Sequence, residues 1–558
     1  MKEITKLLHT YLGIAAFSFL LFMQTPTLQA GELEFQEQAS EVMMNSLQSQ
    51  PKQSFLKKLY RQLLFVPVWM REKSLSSSAK EFFAYIEDDK TLDKNGDMYQ
   101  SALRLKEKAN ALYANASTLT QKINLEFKIS QLYKGYTDYA YFGSINWGAF
   151  QARIANLMVN DVSTEWVLHR PSADPIGMVE NALLGESLKQ QLQGAVTHAY
   201  RYKALQKELQ KYMTIRTNGG WTPVVLKGKL KPGKSAKGIP SLRERLSVTG
   251  DYVACEESSN GIIYDACLQK AVKHFQKRNG LNTDGVVGAG TLQVLNRSVD
   301  DRITTIRLNL DRIKWLNKRE SSKHIMINIP AFTLYFEEDG KLIQSIRTIV
   351  GTPKNPTPIF SNIVKTIVLN PYWNIPQSII QKEMIPMLLK NSNAMAKKDI
   401  EIYTGWGKDA KKISASSVNW RDYQYSKVMP FRFAQVPGRK NALGKVKFLF
   451  PNKYAVYMHD TPTKSLFKKE KRAFSHGCIR LQEPRELLRT FSKFNSNIDF
   501  DKSQKILKGK KKTYKTLKES VPIDVVYLTA WVGSDGQLQF RNDIYGYDKM
   551  QLKSFRKW

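Results

Sequence analysis

Cysteine is scarce. The 558-residue chain has three, too few to staple a fold through disulfides. Histidine is nearly as rare, at seven, and neither a Cys-x-x-Cys pair nor a His-x-x-x-His spacing occurs, so no ready zinc framework is present. Acidic residues number 50 against 85 basic ones, a formal charge of +35. Beyond the first thirty residues no apolar run is long enough to cross a bilayer, which excludes a multi-pass membrane protein.

A hydrophobic content of 42% and an aromatic content of 11% are those of packed globular material, and the length predicts about three domains. Lys2 and Lys6 precede an apolar run from Tyr11 to Met23 that is short for a membrane span and suits a signal peptide. Ala30 before Gly31 is a reasonable cleavage point, while bulky Leu28 leaves an uncleaved N-terminal anchor open. The bulk of the chain is therefore expected to be exported. Export allows Cys255 and Cys267, on either side of a polar loop, to be either a local disulfide or two unrelated thiols. Basic clusters such as Lys508, Lys510, Lys511 and Lys512 draw a protein to polyanions. No nucleic-acid recognition motif accompanies them, so anionic envelope polymers or a membrane surface are the better partners, beside the plain alternative of a solvated surface.

The stretch Tyr457–Arg480 holds the third cysteine. Cys478 stands in Ser475-His476-Gly477-Cys478-Ile479-Arg480, and His459 follows Tyr454-Ala455-Val456-Tyr457-Met458, an alternating run that predicts a strand ending at His459. Taken alone, Cys478 reads as a buried core thiol and His459 as a satisfied structural histidine, with zinc on one Cys and two His also conceivable. A cysteine between glycine and basic neighbours also suits a thiolate nucleophile, with His459 as its base and the Gly477 backbone turned toward a developing oxyanion.

The set His459, Ser475, Gly477, Cys478 and Arg480 resembles the active-site signature of the L,D-transpeptidases, and the long form HDTP…KRAFSHGCIRL resembles their large periplasmic, multidomain branch. The resemblance implies that Cys478 is the nucleophile and His459 the general base, oriented by the backbone carbonyl of Asp460. It further implies an oxyanion hole at the Gly477 and Cys478 amides, no metal or other cofactor, and susceptibility to carbapenems. Arg480 is expected to pair with a substrate carboxylate or to brace the loop. Ser475 is expected to hydrogen-bond within that loop, Tyr457 to line the pocket beside His459, and His476 to serve locally. The implied partners are peptidoglycan stem peptides and glycan in the periplasm. The implied reaction is 3→3 cross-linking; hydrolysis or exchange of stem residues, attachment of protein to peptidoglycan, and a non-catalytic wall-binding protein are the alternatives.

Elsewhere the pattern is coarser. The expected fold class is multidomain α+β: a signal or anchor at 1–30, a helical scaffold at 34–220, a small three-helix domain at 221–298 and a returning helix at 299–322. A predominantly β catalytic domain at 323–505 with a helical capping insertion at about 377–429, and a C-terminal β extension at 506–558, complete it. In the scaffold, Leu188, Leu192, Ala195, Ala199, Leu205 and Leu209 predict one helix through Met213. Val272 to Asn296 resembles the peptidoglycan-binding domain, matching at Phe275, Gln276, Gly280, Asp284, Gly285 and Leu295 among others. Toward the end, Val525 to Val532 predicts a single strand.

Overall fold

The computed structural model describes residues 30–156, 166–167, 174–194, 201–256, 258, 261–316, 321–407 and 409–555. Apart from Ala30, the expected leader lies outside them, as do Ala195 and Ala199 of the scaffold stripe. Among the described residues no helix is long and apolar enough to cross a membrane.

The scaffold is built around the helix Leu119–Phe142, which Thr118 and Gln121 cap reciprocally. Pro67 to Trp69 interrupts the helical pattern, and its buried amides need acceptors. Glu126, on the buried face of that helix, supplies them: its carboxylate accepts from the amides of Val68 at 2.6 Å and of Trp69 and Met70 at 2.9 Å. The expected helix through Met213 is instead two, Leu188–Gly194 and Tyr202–Thr217, the second opening on Arg201 in the left-handed region at φ 49°. A residue in that conformation cannot continue an α-helix, and the apolar spacing on both sides conceals it.

Tyr202–Thr217 packs along Val299–Lys314 through Leu205, Leu209, Ile303, Ile306 and Leu310. Between the two lies the small domain, with helices Ile239–Val248, Ala266–Arg278 and Ala289–Leu295 around a core of its own that includes Leu242, Leu268, Phe275 and Leu295. Cys255 and Cys267 are disulfide-bonded there, and Cys478 is free.

The strands, in chain order, are β1 (Trp166–Val167), β2 (Lys323–Asn328), β3 (Thr333–Glu338), β4 (Lys341–Gly351), β5 (Ile359–Leu369), β6 (Trp373–Asn374), β7 (Ile400–Tyr403) and β8 (Lys412–Ile413). They continue with β9 (Arg432–Gln435), β10 (Val446–Leu449), β11 (Met458–His459), β12 (Ala473–Ser475), β13 (Ile479–Leu481), β14 (Thr513–Val526), β15 (Ala530–Val532) and β16 (Leu538–Phe540). Asp339 and Gly340 both take positive φ, as the two-residue turn between β3 and β4 requires. Eight strands close into a barrel in the order β5, β10, β11, β13, β4, β3, β2, β14, because β14 pairs with β2 on one side and with β5 on the other. The segment expected as a C-terminal extension thus supplies a barrel strand. The expected strand Val525–Val532 breaks between β14 and β15: the Leu528 and Thr529 amides donate to the side chains of Asn328 and Asn309 at 3.0 and 2.9 Å, not to a neighbouring strand. From the scaffold, β1 adds to β5, and Trp166 packs on Phe150, Trp315 and Tyr547.

The capping insertion joins helical turns to a four-stranded antiparallel sheet, β6-β9-β7-β8, so it extends past the expected end at 429 to β9. Its π turn Ile380–Met384 runs into Ile385–Lys390, where Pro386 has no N–H to continue an α ladder and its ring would press on the preceding turn. The insertion has its own core, including Ile380, Ile385, Trp420 and Phe433.

Thiol counting on the denatured, unreduced protein should find one free cysteine, and three after reduction. Three before reduction would contradict the Cys255–Cys267 bond.

Candidate active site

One cross-strand row organises the site. In register across the barrel, Tyr514 of β14 stands opposite Val368 of β5, Val368 opposite Lys447 of β10, Lys447 opposite His459 of β11, and His459 opposite Arg480 of β13. Their neighbours Val446, Phe448, Met458, Ile479 and Leu481 fill the barrel core. Alternation along each strand therefore turns Lys447, His459 and Arg480 to the outer face.

The strand carrying His459 is shorter than its sequence pattern suggests, with only Met458 and His459 paired. Ala455 lies at φ 53°, and the Asn452 side chain accepts from the amides of Tyr454 and Val456, so this stretch is a side-chain-stabilised turn. Tyr457 nevertheless faces His459, with ring centroids 5.7 Å apart.

His459 is buried, and its Nδ1 lies 2.5 Å from the Asp460 carbonyl oxygen. A carbonyl can only accept, so Nδ1 carries the proton and Nε2 is left with its lone pair. Burial, reinforced by the Arg480 guanidinium, pushes the imidazole pKa down to about 3, which keeps the ring neutral. The Asp460 carboxylate is engaged elsewhere, accepting from Lys464 Nζ at 2.7 Å and from the Lys445 amide at 2.8 Å.

Cys478 sits in the turn between β12 and β13, partly exposed. Gly477 before it takes φ 113°, a conformation that a residue with a Cβ adopts only under strain, although an added Cβ would meet only the Pro356 carbonyl oxygen, at 3.7 Å. Ser475 Oγ donates to the Cys478 carbonyl at 2.6 Å and accepts from the Gly477 amide at 3.2 Å. The Gly477 amide is therefore occupied. Gly477 contributes its backbone conformation, and among the described residues the Cys478 amide makes no hydrogen bond. Burial pushes the Cys478 thiol above its ordinary value, outweighing the opposing influence of Tyr457 and of the Lys447 and Arg480 charges.

Three residues that the motif did not include complete the site. Thr357 Oγ1 donates to the Gly477 carbonyl at 2.8 Å and accepts from the Gly351 amide at 2.9 Å. The Tyr545 hydroxyl donates to the Gly351 carbonyl at 2.7 Å and accepts from the Thr357 amide at 3.2 Å, so the C-terminal segment holds the Cys478 turn from behind. Lys447 places its ammonium 3.5 Å from the centre of the Tyr457 ring. The only sequence signal for Lys447 was its polar place between two core residues, Val446 and Phe448.

The other expected residues fall as follows. Arg480 is partly exposed and makes no ion pair among the described residues. His476 is directed to Glu383 of the cap's π turn, with Nε2 3.2 Å from Oε1. Among the described residues no three metal-ligating side chains converge.

Residues 322–498 match the model of the L,D-transpeptidase catalytic domain, residues 54–209 that of a scaffold domain, and residues 236–295 that of a peptidoglycan-binding domain. A Haemophilus influenzae protein named for L,D-transpeptidase activity is 32% identical over 225 residues, 40% of this chain and 44% of its own length. The match thus spans less than half of that relative. Among solved structures, an L,D-transpeptidase from Stackebrandtia nassauensis is similar at 16% identity and a TM-score of 0.22, covering 55% of this chain and 97% of its own. One from Mycobacterium smegmatis is similar at 14% and 0.18, covering 37% and 59%. Both likenesses are too slight to bear on the chemistry of the site.

The neutral, buried imidazole has a consequence for stability. The unfolded chain takes up a proton on His459 near pH 6.5 and the folded chain only near pH 3, so stability falls as pH drops through that interval. The slope from this one group reaches about 1.4 kcal/mol per pH unit. His459→Gln should show a shallower acid loss than wild type in urea unfolding between about pH 6 and 4. Identical slopes would contradict a neutral His459.

Proposed function

We propose, from the premise that the chain carries an L,D-transpeptidase catalytic domain behind a scaffold domain and a peptidoglycan-binding domain, that it is a cysteine acyltransferase forming 3→3 cross-links between peptidoglycan stems. The observation that carries this is the tautomer of His459: with Nδ1 tied to the Asp460 carbonyl, Nε2 keeps its lone pair and can accept a proton.

In this reaction the Cys478 thiol gives its proton to His459 Nε2, and the sulfur attacks the carbonyl between the third and fourth residues of a tetrapeptide stem. The Cys478 amide, which makes no hydrogen bond among the described residues, donates to the oxyanion. As the C–N bond breaks, His459 returns the proton to the departing D-alanine amine, leaving a thioester on Cys478. The side-chain amine of a diaminopimelate in a second stem then attacks the thioester, losing its proton by way of His459 to the sulfur. Arg480, which makes no ion pair among the described residues, suits a stem carboxylate. Thr357 and Tyr545 act on position alone, by holding Gly477 and Gly351.

The partners in this reading are stem peptides in the catalytic cleft and glycan at the small domain, with export to the periplasm through the N-terminal segment. Anionic envelope polymers suit the +35 charge. Purified protein incubated with tetrapeptide muropeptides should yield dimers that have lost one D-alanine, joined between diaminopimelate residues by mass analysis, and Cys478→Ala should yield none. Dimers from Cys478→Ala would overturn the proposal; stems merely shortened or exchanged by wild type would move the acceptor from a second stem to water or a free amino acid.

A further inference from the structure

Ala455 stands at φ 53°, in the left-handed region. Glycine, asparagine and aspartate visit that region readily. Alanine has neither the freedom of the first nor the polar side chain of the others, and it stays there only where its surroundings hold it. The hold is the side chain of Asn452. Its Nδ2 donates to the carbonyls of Phe450 at 2.6 Å and Val456 at 2.8 Å, and its Oδ1 accepts from the amides of Tyr454 and Val456, both at 3.1 Å. An asparagine amide has two donor hydrogens and two acceptor lone pairs, so all four are engaged on one strap of backbone, Phe450 to Val456.

That strap lies against the sulfur. The Cys478 thiol donates to the Ala455 carbonyl, with Sγ 3.9 Å from the oxygen, and the next amide, that of Ile479, donates to the Tyr457 carbonyl at 3.1 Å. A thiol is too weak a donor to draw a loose carbonyl to itself, so this acceptor must be placed by other means. Relaxing Ala455 to an ordinary conformation would change its dihedrals and turn the carbonyl elsewhere. Ser475 and Thr357 brace the same turn from the other side, but their hydrogen bonds reach the backbone of Gly477 and Cys478 and leave the sulfur's own torsion unset. The strap also leads through Tyr457 into β11 and His459, so one segment relates the sulfur's resting place to the base.

We propose that Asn452 is a positioning residue for the Cys478 sulfur: it holds Ala455 in the left-handed region and so sets the Ala455 carbonyl against the thiol. This rests on Cys478 being the nucleophile and deepens that reading by naming what aligns it. A sulfur free to turn among its staggered positions meets the stem carbonyl in the right geometry less often, which lowers the rate of attack and leaves binding of the stem unchanged. Asn452 acts through the Ala455 carbonyl.

Crystal structures of the full chain read the placement directly and need no stem chemistry, so they stand even if the acylation reading fails. Wild type should show one Cys478 rotamer with Sγ against the Ala455 carbonyl. Asn452→Ala should show Ala455 outside the left-handed region and the sulfur spread over more than one rotamer. Ala455→Val attacks the same link from its other end, because a β-branched residue is an outlier at positive φ, and should do the same with Asn452 in place. In single-turnover acylation by a tetrapeptide stem, both variants should react about tenfold more slowly at saturating stem, with the half-saturating concentration unmoved. Asn452→Ala combined with Ala455→Gly should recover most of the rate, since glycine takes positive φ without help. Thermal unfolding of each variant separates alignment from folding. A single rotamer held on Ala455 in folded Asn452→Ala would overturn the proposal, as would wild-type rates in both single variants or no recovery in the double variant. Wild type that leaves stems untouched while its sulfur is held on Ala455 would overturn the acylation reading alone.

Discussion

The site depends on a strand register. Pairing of β11 with β10 on one side and β13 on the other sets Lys447, His459 and Arg480 in one row, and a slip by one residue in any strand would bury a charge in the core and turn a core residue outward. A closed barrel resists such a slip, because every strand is held on both sides. The register is thus an electrostatic arrangement as much as a geometric one: two cations flank an imidazole that burial keeps neutral.

The turn that presents the sulfur is less protected than the row, and much of the remaining chain serves to hold it. Gly477 occupies a conformation that few residues tolerate, and its neighbours are fixed by hydrogen bonds from Ser475 on one side and Thr357 on the other. Thr357 is held by Tyr545, and Tyr545 packs against Tyr527 and Tyr547 in the cluster that receives Trp166 from the scaffold. The C-terminal segment, the barrel and the scaffold are therefore one packed body around the Cys478 turn. The cap is separate in kind, with its own core, and reaches the loop through the contact between Glu383 and His476.

What could be read from sequence was what is local. The Ser475-to-Arg480 motif, the Asp339-Gly340 turn and the strands around them follow from residue chemistry and period. The carbonyl partner of His459 came from the family resemblance and not from any local pattern in the sequence. Barrel closure by β14 was not legible, since pairing between residues some 150 positions apart leaves no local trace, as in Tyr514 with Val368. Lys447 was invisible for the same reason: a single lysine on an amphipathic strand reads as solvated until the register sets it beside His459. The left-handed Arg201 and Ala455 were hidden inside apolar patterns that looked continuous. Occupancy of the Gly477 amide by Ser475 depends on a rotamer, which no pattern encodes.

The central claim is that one sulfur, presented by this turn and served by His459, carries the acyl group. Intact-mass spectrometry after incubation with a carbapenem, followed by peptide mapping, tests it most directly, because on the proposed reaction a strained lactam carbonyl would take the place of the stem carbonyl and its product would not depart. The account predicts a single covalent adduct on the peptide containing Cys478, formed orders of magnitude more slowly in His459→Ala. An adduct on any other residue, or one formed at the wild-type rate without His459, would contradict it.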